Sequence, residues 1–410
     1  MLAQPEPGLT PARLIERAVA LRPLLREQQA ENDRRGHYSE AIQRQLLAGG
    51  FYRILQPRRF GGYEFPLETF IRVIAEIARG HPASGWCFAL AASHGYVLAS
   101  HWSEAGQIEL FGPQGDFRSA MTAGPAGTFR RTDGGYIVSG VHPFASGIPV
   151  CTHFMGAGLT RDAPGPPRPI YFVVPKQNYT ILPDWGGELA MGMQGSGSNS
   201  VKISEAFVPD QHIISAARVM TEQLDPKLGT IGTQLHGNPM YLGVLMGWFS
   251  CEFGAILSGT ARAAIDEFED MLRTRKLTFN PQLERMYDPT NQILLGEALS
   301  RTQAAEALTL SAVRLYAEQC ERWGRQGIPV SARDTFEVWS ISREACRAAC
   351  EAVEMLFRGA GASISKSGQP LQRYFRDVQM YRVHLQSQPL FAQLRGLVQL
   401  GLPLPPPFGN

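Results

Sequence analysis

The sequence predicts an α+β protein in which two helical segments flank a central β-rich segment. Apolar residues recur at helical spacing from the start of the chain to Gly112-Pro113. The stretch 119–209 is rich in Gly, Pro, Thr and Val with short alternating runs, and long helical patterns return near Leu235. We therefore expect an N-terminal helical domain (1–115), a β-barrel or sandwich domain (116–215), a C-terminal helical bundle (216–402) and a proline-rich tail (403–410).

The first segment carries clear helix-start signals. Thr10 has the hydroxyl that an N-cap needs, and Pro11 suits the first helical position. Leu14, Ala18 and Leu21 then follow at helical spacing, which indicates one buried face. Further helices are predicted at 39–47, at 67–78 and after Pro82.

The middle segment reads as strands joined by turns. Thr128 to Arg131 and Tyr136 to Ser139 flank an Asp133-Gly134-Gly135 turn, a typical hairpin pattern. The runs 170–174 and 201–204 predict further strands. The last segment shows four long helical patterns with short joins, which favour an antiparallel four-helix bundle. Their predicted spans are 240–275, 289–323, 334–357 and 371–396.

Composition excludes several functional classes. The 410 residues include 39 Lys or Arg and 37 Asp or Glu, with no block of like charge, so nothing indicates nucleic-acid binding. The 6 cysteines are scattered and are typical of a reduced protein without a metal site. The start of the chain lacks signal-peptide character, and no apolar run matches the roughly 20 residues of a membrane span. We expect a soluble cytoplasmic protein with no nucleic-acid or membrane partner.

Two distant segments indicate a family. Ser139 to Gly147 reads Ser-Gly-Val-His-Pro-Phe-Ala-Ser-Gly, and 372–384 reads Gln-Arg-Tyr-Phe-Arg-Asp-Val-Gln-Met-Tyr-Arg-Val-His. Together with 51–62, 83–90 and 193–201, they resemble the acyl-CoA dehydrogenase fold family, whose architecture is helices, β-module and four-helix bundle. The chain resembles its branch of two-component flavin-dependent monooxygenases, oxygenase component (group D). This branch includes p-hydroxyphenylacetate hydroxylase oxygenases, the secosteroid hydroxylase and dibenzothiophene monooxygenase.

One departure from the dehydrogenases selects this branch. Acyl-CoA dehydrogenases commonly carry a Tyr-Glu-Gly-Thr type segment after a late Arg-Asp pair, and its Glu takes the substrate proton. Here Arg376-Asp377 is followed by a stretch that contains His384 and no carboxylate. We read Arg376 and Asp377 themselves as a structural ion pair.

The resemblance implies roles for two residues above all. Ser146 would lie beside the flavin N5 and shelter a C4a-hydroperoxyflavin from water. His384 would take the proton of a phenol as the ring attacks the peroxide. Without the resemblance, Ser146 would be read as a turn serine satisfied by backbone, and His384 as a helix histidine.

Further residues are candidates for the pocket. His94 matches a frequent pocket histidine of the family, His101 competes with it, and a hydrogen-bonded interior histidine is the plainer reading of both. Trp86 and Tyr96 could wall an aromatic substrate, although aromatic residues at such positions are often core.

Candidate cofactor contacts follow from the same resemblance. Small residues and hydroxyls permit close approach of backbone to a ring or phosphate. Arg273 and Arg275 would bind a flavin phosphate, from a neighbouring subunit if the family assembly holds. The other implied flavin contacts are Ser146, Phe144, Gly195, Ser196, Gly197, Ser198 and Gly361.

The implied function is hydroxylation of a phenolic or other electron-rich aromatic substrate with reduced FMN or FAD and O₂. No Gly-x-Gly-x-x-Gly segment follows a strand and opens a helix, so a separate NAD(P)H flavin reductase would supply reduced flavin by diffusion. The family implies a homotetramer. Three alternatives remain open: an N- or S-oxygenase of the same branch, an acyl-CoA dehydrogenase with Glu252 as a displaced base, and a non-catalytic binding relative.

Overall fold

The computed structural model describes residues 5–161, 165–216 and 229–405. Of the predicted proline-rich tail, residues 406–410 lie outside these ranges. The helices before the first strand are α1 (Pro11–Glu27), α2 (Gln29–Arg35), α3 (Glu40–Ala48), α4 (Leu67–Gly80), α5 (Pro82–His101) and α6 (Glu104–Phe111). The Thr10 hydroxyl accepts the Arg13 N–H at 3.3 Å, so the expected N-cap of α1 is present.

Helix α5 lies at the centre of the molecule. Every residue in it except Leu90 is buried, so it is a core helix rather than an amphipathic surface helix. Gly85 lets it approach α4 closely, because a Cβ there would lie 2.7 Å from the Cβ of Ala78. The first turn of α5 is therefore held at a fixed place in the core.

The strands form two sheets. They are β1 (Ser119–Pro125), β2 (Thr128–Thr132), β3 (Gly135–His142), β4 (His153–Thr160), β5 (Arg168–Pro175), β6 (Thr180–Ile181), β7 (Val201–Pro209) and β8 (Ile213–Ser215). One sheet has the order β1-β4-β5-β8 and the other β2-β3-β7-β6. The expected hairpin is β2 and β3, paired antiparallel from Thr128↔Ser139 to Thr132↔Gly135. All pairs are antiparallel except β1 with β4.

The helices after the strands are α7 (Ile231–His236), α8 (Leu245–Thr274), α9 (Pro289–Gln326), α10 (Ala332–Gly359), α11 (Pro370–Arg382) and α12 (Leu390–Gln399). Asp288 caps α9 by accepting the N–H groups of Thr290 and Asn291, and Ser331 forms a capping box at α10. None of the helices in the described ranges has the length and apolar character needed to cross a bilayer.

The prediction of one helix over 371–396 is wrong. Helix α11 ends at Arg382, a short 3-10 turn covers Leu385–Ser387, and α12 begins at Leu390. Pro389 explains the interruption, because proline has no N–H to donate and its ring clashes with a preceding helical turn. His384 consequently lies in the break between two helices, where its backbone is extended.

Candidate active site

Three distant parts of the chain meet at Trp86, the fifth residue of α5. Its indole Nε1–H donates to the Ser146 hydroxyl at 3.1 Å. Its ring lies edge-on to His384, with centroids 5.6 Å apart. The structure thus brings together three of the residues that the sequence singled out, and Trp86 is the contact that joins Ser146 to His384.

The loop that carries Ser146 follows β3 and is clipped to the loop that precedes β7. The Ala145 N–H donates to the Asn199 carbonyl at 3.1 Å, and the Gly147 N–H donates to the Ser196 carbonyl at 2.9 Å. Gly147 has a φ of +83°, and a Cβ there would lie 2.8 Å from the Cys87 carbonyl oxygen of α5. Glycine is therefore required for this loop to rest on α5.

The hydroxyls of the second loop continue the contact. Ser198 Oγ lies 2.7 Å from Ser146 Oγ and 2.7 Å from Ser196 Oγ. A Cβ on Gly195 would lie 3.0 Å from His81, and one on Gly197 would lie 2.9 Å from Pro149. Gly195 and Gly197 thus make close contacts within the protein itself, whereas the Ser198 hydroxyl contacts Ser146.

His384 has aromatic neighbours and a neutral ring. Its ring centroid lies 5.0 Å from that of Phe253 and 6.4 Å from that of Tyr381. Burial lowers its pKa to about 4, so the imidazole is uncharged at neutral pH. Its Nδ1 accepts the Gln386 N–H at 3.2 Å, which assigns the ring proton to Nε2.

Phe144 offers the flat apolar surface that a flavin ring needs. Its side chain is 67% exposed although it stands two residues before Ser146, and its φ is +61°. Trp185 packs edge-on against it, with centroids 6.1 Å apart. An exposed aromatic ring beside the Ser146 hydroxyl fits a cofactor with an apolar ring face and a polar edge.

The predicted pocket histidines are hydrogen-bonded in the interior. His94 Nδ1 donates to the Ser119 carbonyl at 2.6 Å, its ring packs on Phe249, and burial lowers its pKa to about 4. His101 Nε2 lies 2.8 Å from the Gly243 carbonyl. None of the hydrogen bonds or ring contacts given for His94 in the described ranges joins it to the Trp86 cluster, so its pocket role stays a prediction.

Tyr96 has the surroundings of a core residue. Its hydroxyl donates to the Met240 carbonyl at 2.5 Å and lies 3.1 Å from the Tyr316 hydroxyl. Its ring packs on Tyr241 and Trp248. Its hydroxyl is thus engaged within the core, and a place for Tyr96 in the substrate pocket stays untested.

The predicted phosphate ligands lie near the end of α8. Arg273 is exposed and pairs with Glu269 at 3.4 Å, whereas Arg275 donates to Ser363 at 3.2 Å. Ser363 lies in the short 3-10 turn that Gly361 precedes, so Arg275 contacts the turn next to Gly361. No contact in the described ranges joins this group to Ser146.

The expected ion pair of Arg376 with Asp377 is wrong. Successive helical residues point in different directions, so Arg376 donates to the Met191 carbonyl at 2.7 Å while Asp377 accepts the Met193 N–H at 2.6 Å. The buried cation of α11 is instead Arg373, whose Nε donates to Asp33 at 2.7 Å.

Sequence reasoning also missed Phe253 and the partners of Asp33. Phe253 lies 4.7 Å from Trp86 between ring centroids and completes the aromatic wall. It stands in an apolar helical pattern that core residues share, so no local signal distinguished it. His81 Nε2 lies 3.1 Å from Asp33, a pairing across 48 residues that include α3 and α4, which spacing does not reveal.

Glu252 does not suit the role of a displaced base. It is fully buried, the Ser93 hydroxyl donates to its Oε2 at 3.4 Å, and Oε1 has no partner among the described residues. Burial raises its pKa well above the usual range. The raised pKa favours the protonated carboxyl, and a protonated carboxyl cannot take the substrate proton.

Comparisons with known proteins agree with this geometry. Residues 252–389 match the family model described as the acyl-CoA dehydrogenase C-terminal domain. The chain is 29% identical over 385 residues to a pigment production hydroxylase of Rhodococcus sp. (strain ATCC 21145), covering 92% of this chain and 93% of that protein. It is 28% identical over 401 residues to the flavin-dependent monooxygenase oxygenase subunit HsaA of Rhodococcus jostii, covering 95% and 99%.

A solved structure extends the likeness to the whole fold. The 3-HSA hydroxylase from Rhodococcus sp. RHA1 superposes with a TM-score of 0.84 at 25% identity and covers 96% of this chain and 98% of its own. The chain therefore has the fold of the acyl-CoA dehydrogenases. Within that fold the relatives that it resembles along most of its length are named as hydroxylases and as oxygenase components of flavin-dependent monooxygenases.

Proposed function

We propose that the chain hydroxylates a phenolic or other electron-rich aromatic compound, as the oxygenase component that receives reduced flavin from a separate reductase. The observation that carries this proposal is that Ser146 and His384 both contact Trp86. Relatives named for p-hydroxyphenylacetate, resorcinol and indole-3-acetate support an aromatic substrate.

The flavin would rest against the loop 144–146. Reduced FMN or FAD, when bound, supplies the activation of O₂, and the protein supplies orientation and environment. The exposed ring of Phe144, braced by Trp185, would contact the ring system, and the Ser146 hydroxyl would reach its polar edge. Arg273 and Arg275 remain the proposed phosphate contacts, and Gly361 remains a proposed flavin contact.

The substrate would occupy the aromatic wall around His384. Trp86 and Phe253 offer ring faces on which an aromatic compound can pack. Since His384 Nδ1 already accepts the Gln386 N–H, its Nε2–H is the group available to a phenol oxygen. His384 would then donate a hydrogen bond that stabilises phenolate character, rather than remove the proton itself at Nε2.

Exclusion of water is the further requirement. Trp86 and Ser146 are buried, and the Phe253 ring packs against Trp86. Excluding water limits the unproductive release of activated oxygen as H₂O₂.

We further propose that an NAD(P)H-dependent flavin reductase delivers reduced flavin to this chain by diffusion. We also propose that the chain assembles as a homotetramer.

The test is stopped-flow absorbance after protein loaded anaerobically with reduced FMN or FAD is mixed with oxygenated buffer. We expect a transient spectrum distinct from reduced and oxidised flavin, whose decay accelerates with a phenol and yields hydroxylated product. Acceleration only by amines or thioethers would redirect the proposal to N- or S-oxygenation. Direct conversion to oxidised flavin with every substrate would contradict it.

A further inference from the structure

A chain of three hydroxyls ends at the indole of Trp86. Ser196 Oγ lies 2.7 Å from Ser198 Oγ, which lies 2.7 Å from Ser146 Oγ. The Trp86 Nε1–H reaches Ser146 from the other side at 3.1 Å. A hydroxyl has one proton and two lone pairs, so the direction of each bond constrains the next.

Ser196 fixes the direction of the chain at its buried end. It has no solvent exposure, and within the described ranges the sole hydrogen-bond partner of its hydroxyl is Ser198. A buried hydroxyl proton without an acceptor would cost about 1–3 kcal/mol, the desolvation penalty of an unpaired donor. Ser196 therefore donates to Ser198.

The remaining bonds then follow in turn. Ser198 accepts the proton of Ser196 and directs its own proton to Ser146. The indole N–H of Trp86 is a donor only and takes the second lone pair of Ser146. The Ser146 proton has no protein acceptor among the described residues, and the side chain keeps 8% exposure through which it can point.

We infer that Ser198, with Ser196 behind it, and Trp86 fix Ser146 as a hydrogen-bond donor toward the bound flavin. This inference rests on the proposed function, in which Ser146 faces the flavin N5. The flavin N5 is an acceptor in oxidised flavin and carries a proton in reduced flavin. A Ser146 hydroxyl fixed as a donor therefore favours the oxidised form at this one contact. Ser196 and Ser198 are positioning residues, since they act through Ser146.

The test compares dissociation constants of oxidised flavin and, anaerobically, reduced flavin for FMN and FAD. Trp86→Phe keeps a ring but frees one lone pair of Ser146, and Ser198→Ala frees the other by removing the hydroxyl that donates to Ser146. Both should bind reduced flavin more tightly relative to oxidised flavin, by about three- to tenfold, as expected for one hydrogen bond. The midpoint potential of the bound flavin should rise by about 30 mV for each tenfold change.

Ser200→Ala is the matched control. Ser200 lies in the same loop, and its backbone N–H donates to Asp184. Its hydroxyl is not part of the chain of hydroxyls formed by Ser196, Ser198 and Ser146. This variant should keep the wild-type ratio, and melting curves should show all variants folded.

Two results would overturn the inference in different ways. If Ser146→Ala changes the ratio while Trp86→Phe and Ser198→Ala leave it at the wild-type value, Ser146 faces flavin but its polarity is not fixed. If Ser146→Ala changes neither constant, Ser146 does not face the flavin, and its place in the proposed site is also lost. Wild-type protein that binds neither redox state would refute the proposed function itself.

Discussion

His384 shows how the environment of a single residue decides its chemistry. Its ring lies among Trp86, Phe253 and Tyr381, and burial lowers its pKa to about 4. The charged form is therefore populated only below about pH 4. With the Gln386 N–H on Nδ1, the neutral ring presents Nε2–H as a donor throughout the physiological range.

Replacing His384 should uncouple flavin oxidation from hydroxylation. We expect His384→Ala to lower product formation by about 10²-fold, in the range of a lost hydrogen-bonding or proton-transfer group. Flavin should still be oxidised, with H₂O₂ as the product. His384→Gln places an amide N–H near the Nε2 position and should recover part of the loss. Product and peroxide are measured together.

The pH profile gives an independent check on the same residue. Because the lowered pKa keeps His384 neutral above about pH 4, its ionisation should produce no step in hydroxylation between pH 5 and 8. A step within that range that disappears in His384→Gln would show that the imidazole becomes charged there.

At the scale of elements, helix α11 holds the loop that precedes β7. Asp377 accepts the N–H of Met193, which has a φ of +50°, a conformation that residues other than glycine rarely adopt. A Cβ on Gly192 would lie 2.3 Å from the Arg376 carbonyl, so this loop lies directly on the helix. Ser196 and Ser198 follow a few residues later.

Asp377 should make stability depend on pH. Burial and the neighbouring Asp33 raise its pKa to about 6 in the folded protein, above 3.8 for the unfolded chain. The folded state therefore binds this proton more tightly, and its contribution to stability is complete below about pH 4 and lost as pH rises through about 6.

Asp377→Asn should remove this contribution while keeping an acceptor for Met193. We expect the melting temperature of Asp377→Asn, relative to that of the wild type, to increase as pH rises from 4.5 to 7.5. Asp184→Asn is the control, because Asp184 is an exposed carboxylate that also accepts a backbone N–H, from Ser200. A constant difference between Asp377→Asn and wild type at all pH values would contradict the assigned shift.

Some elements could be predicted from the sequence and others could not. Helices α1, α3 and α4 and the β2–β3 hairpin were predicted because capping, periodicity and turn residues are local signals. The break before Pro389 was missed because an apolar pattern continues across it. Residues such as Ser146 and His384 came from family resemblance, whereas Phe253 and Arg373 depend on tertiary partners that a single sequence does not display.

At the scale of the whole molecule, a buried polar network joins the first helices to the last bundle helices. Arg373 of α11 donates to Asp33 of α2 at 2.7 Å and to Gln29 at 2.9 Å. His81, just before α5, contacts the other oxygen of Asp33 at 3.1 Å. The network thus packs directly against the loop that carries Ser196, since a Cβ on Gly195 would lie 3.0 Å from His81 and 3.2 Å from Asp33.

Removing one member of this network should lower the stability of the whole protein. Arg373→Ala leaves Asp33 buried with only His81 opposite, and loss of one partner of a buried pair costs about 3–5 kcal/mol. We expect a large fall in melting temperature, together with weaker flavin binding, because the serine loop rests on the same network. Arg376→Ala, three residues along α11, removes a more exposed arginine that donates to the Met191 carbonyl and should cost far less stability.

The double variant Asp33→Asn with Arg373→Met distinguishes an unpaired buried charge from lost packing as the cause. It removes both charges and should recover much of the stability. If the double variant is as unstable as Arg373→Ala, packing rather than an unpaired charge holds the two ends of the chain together.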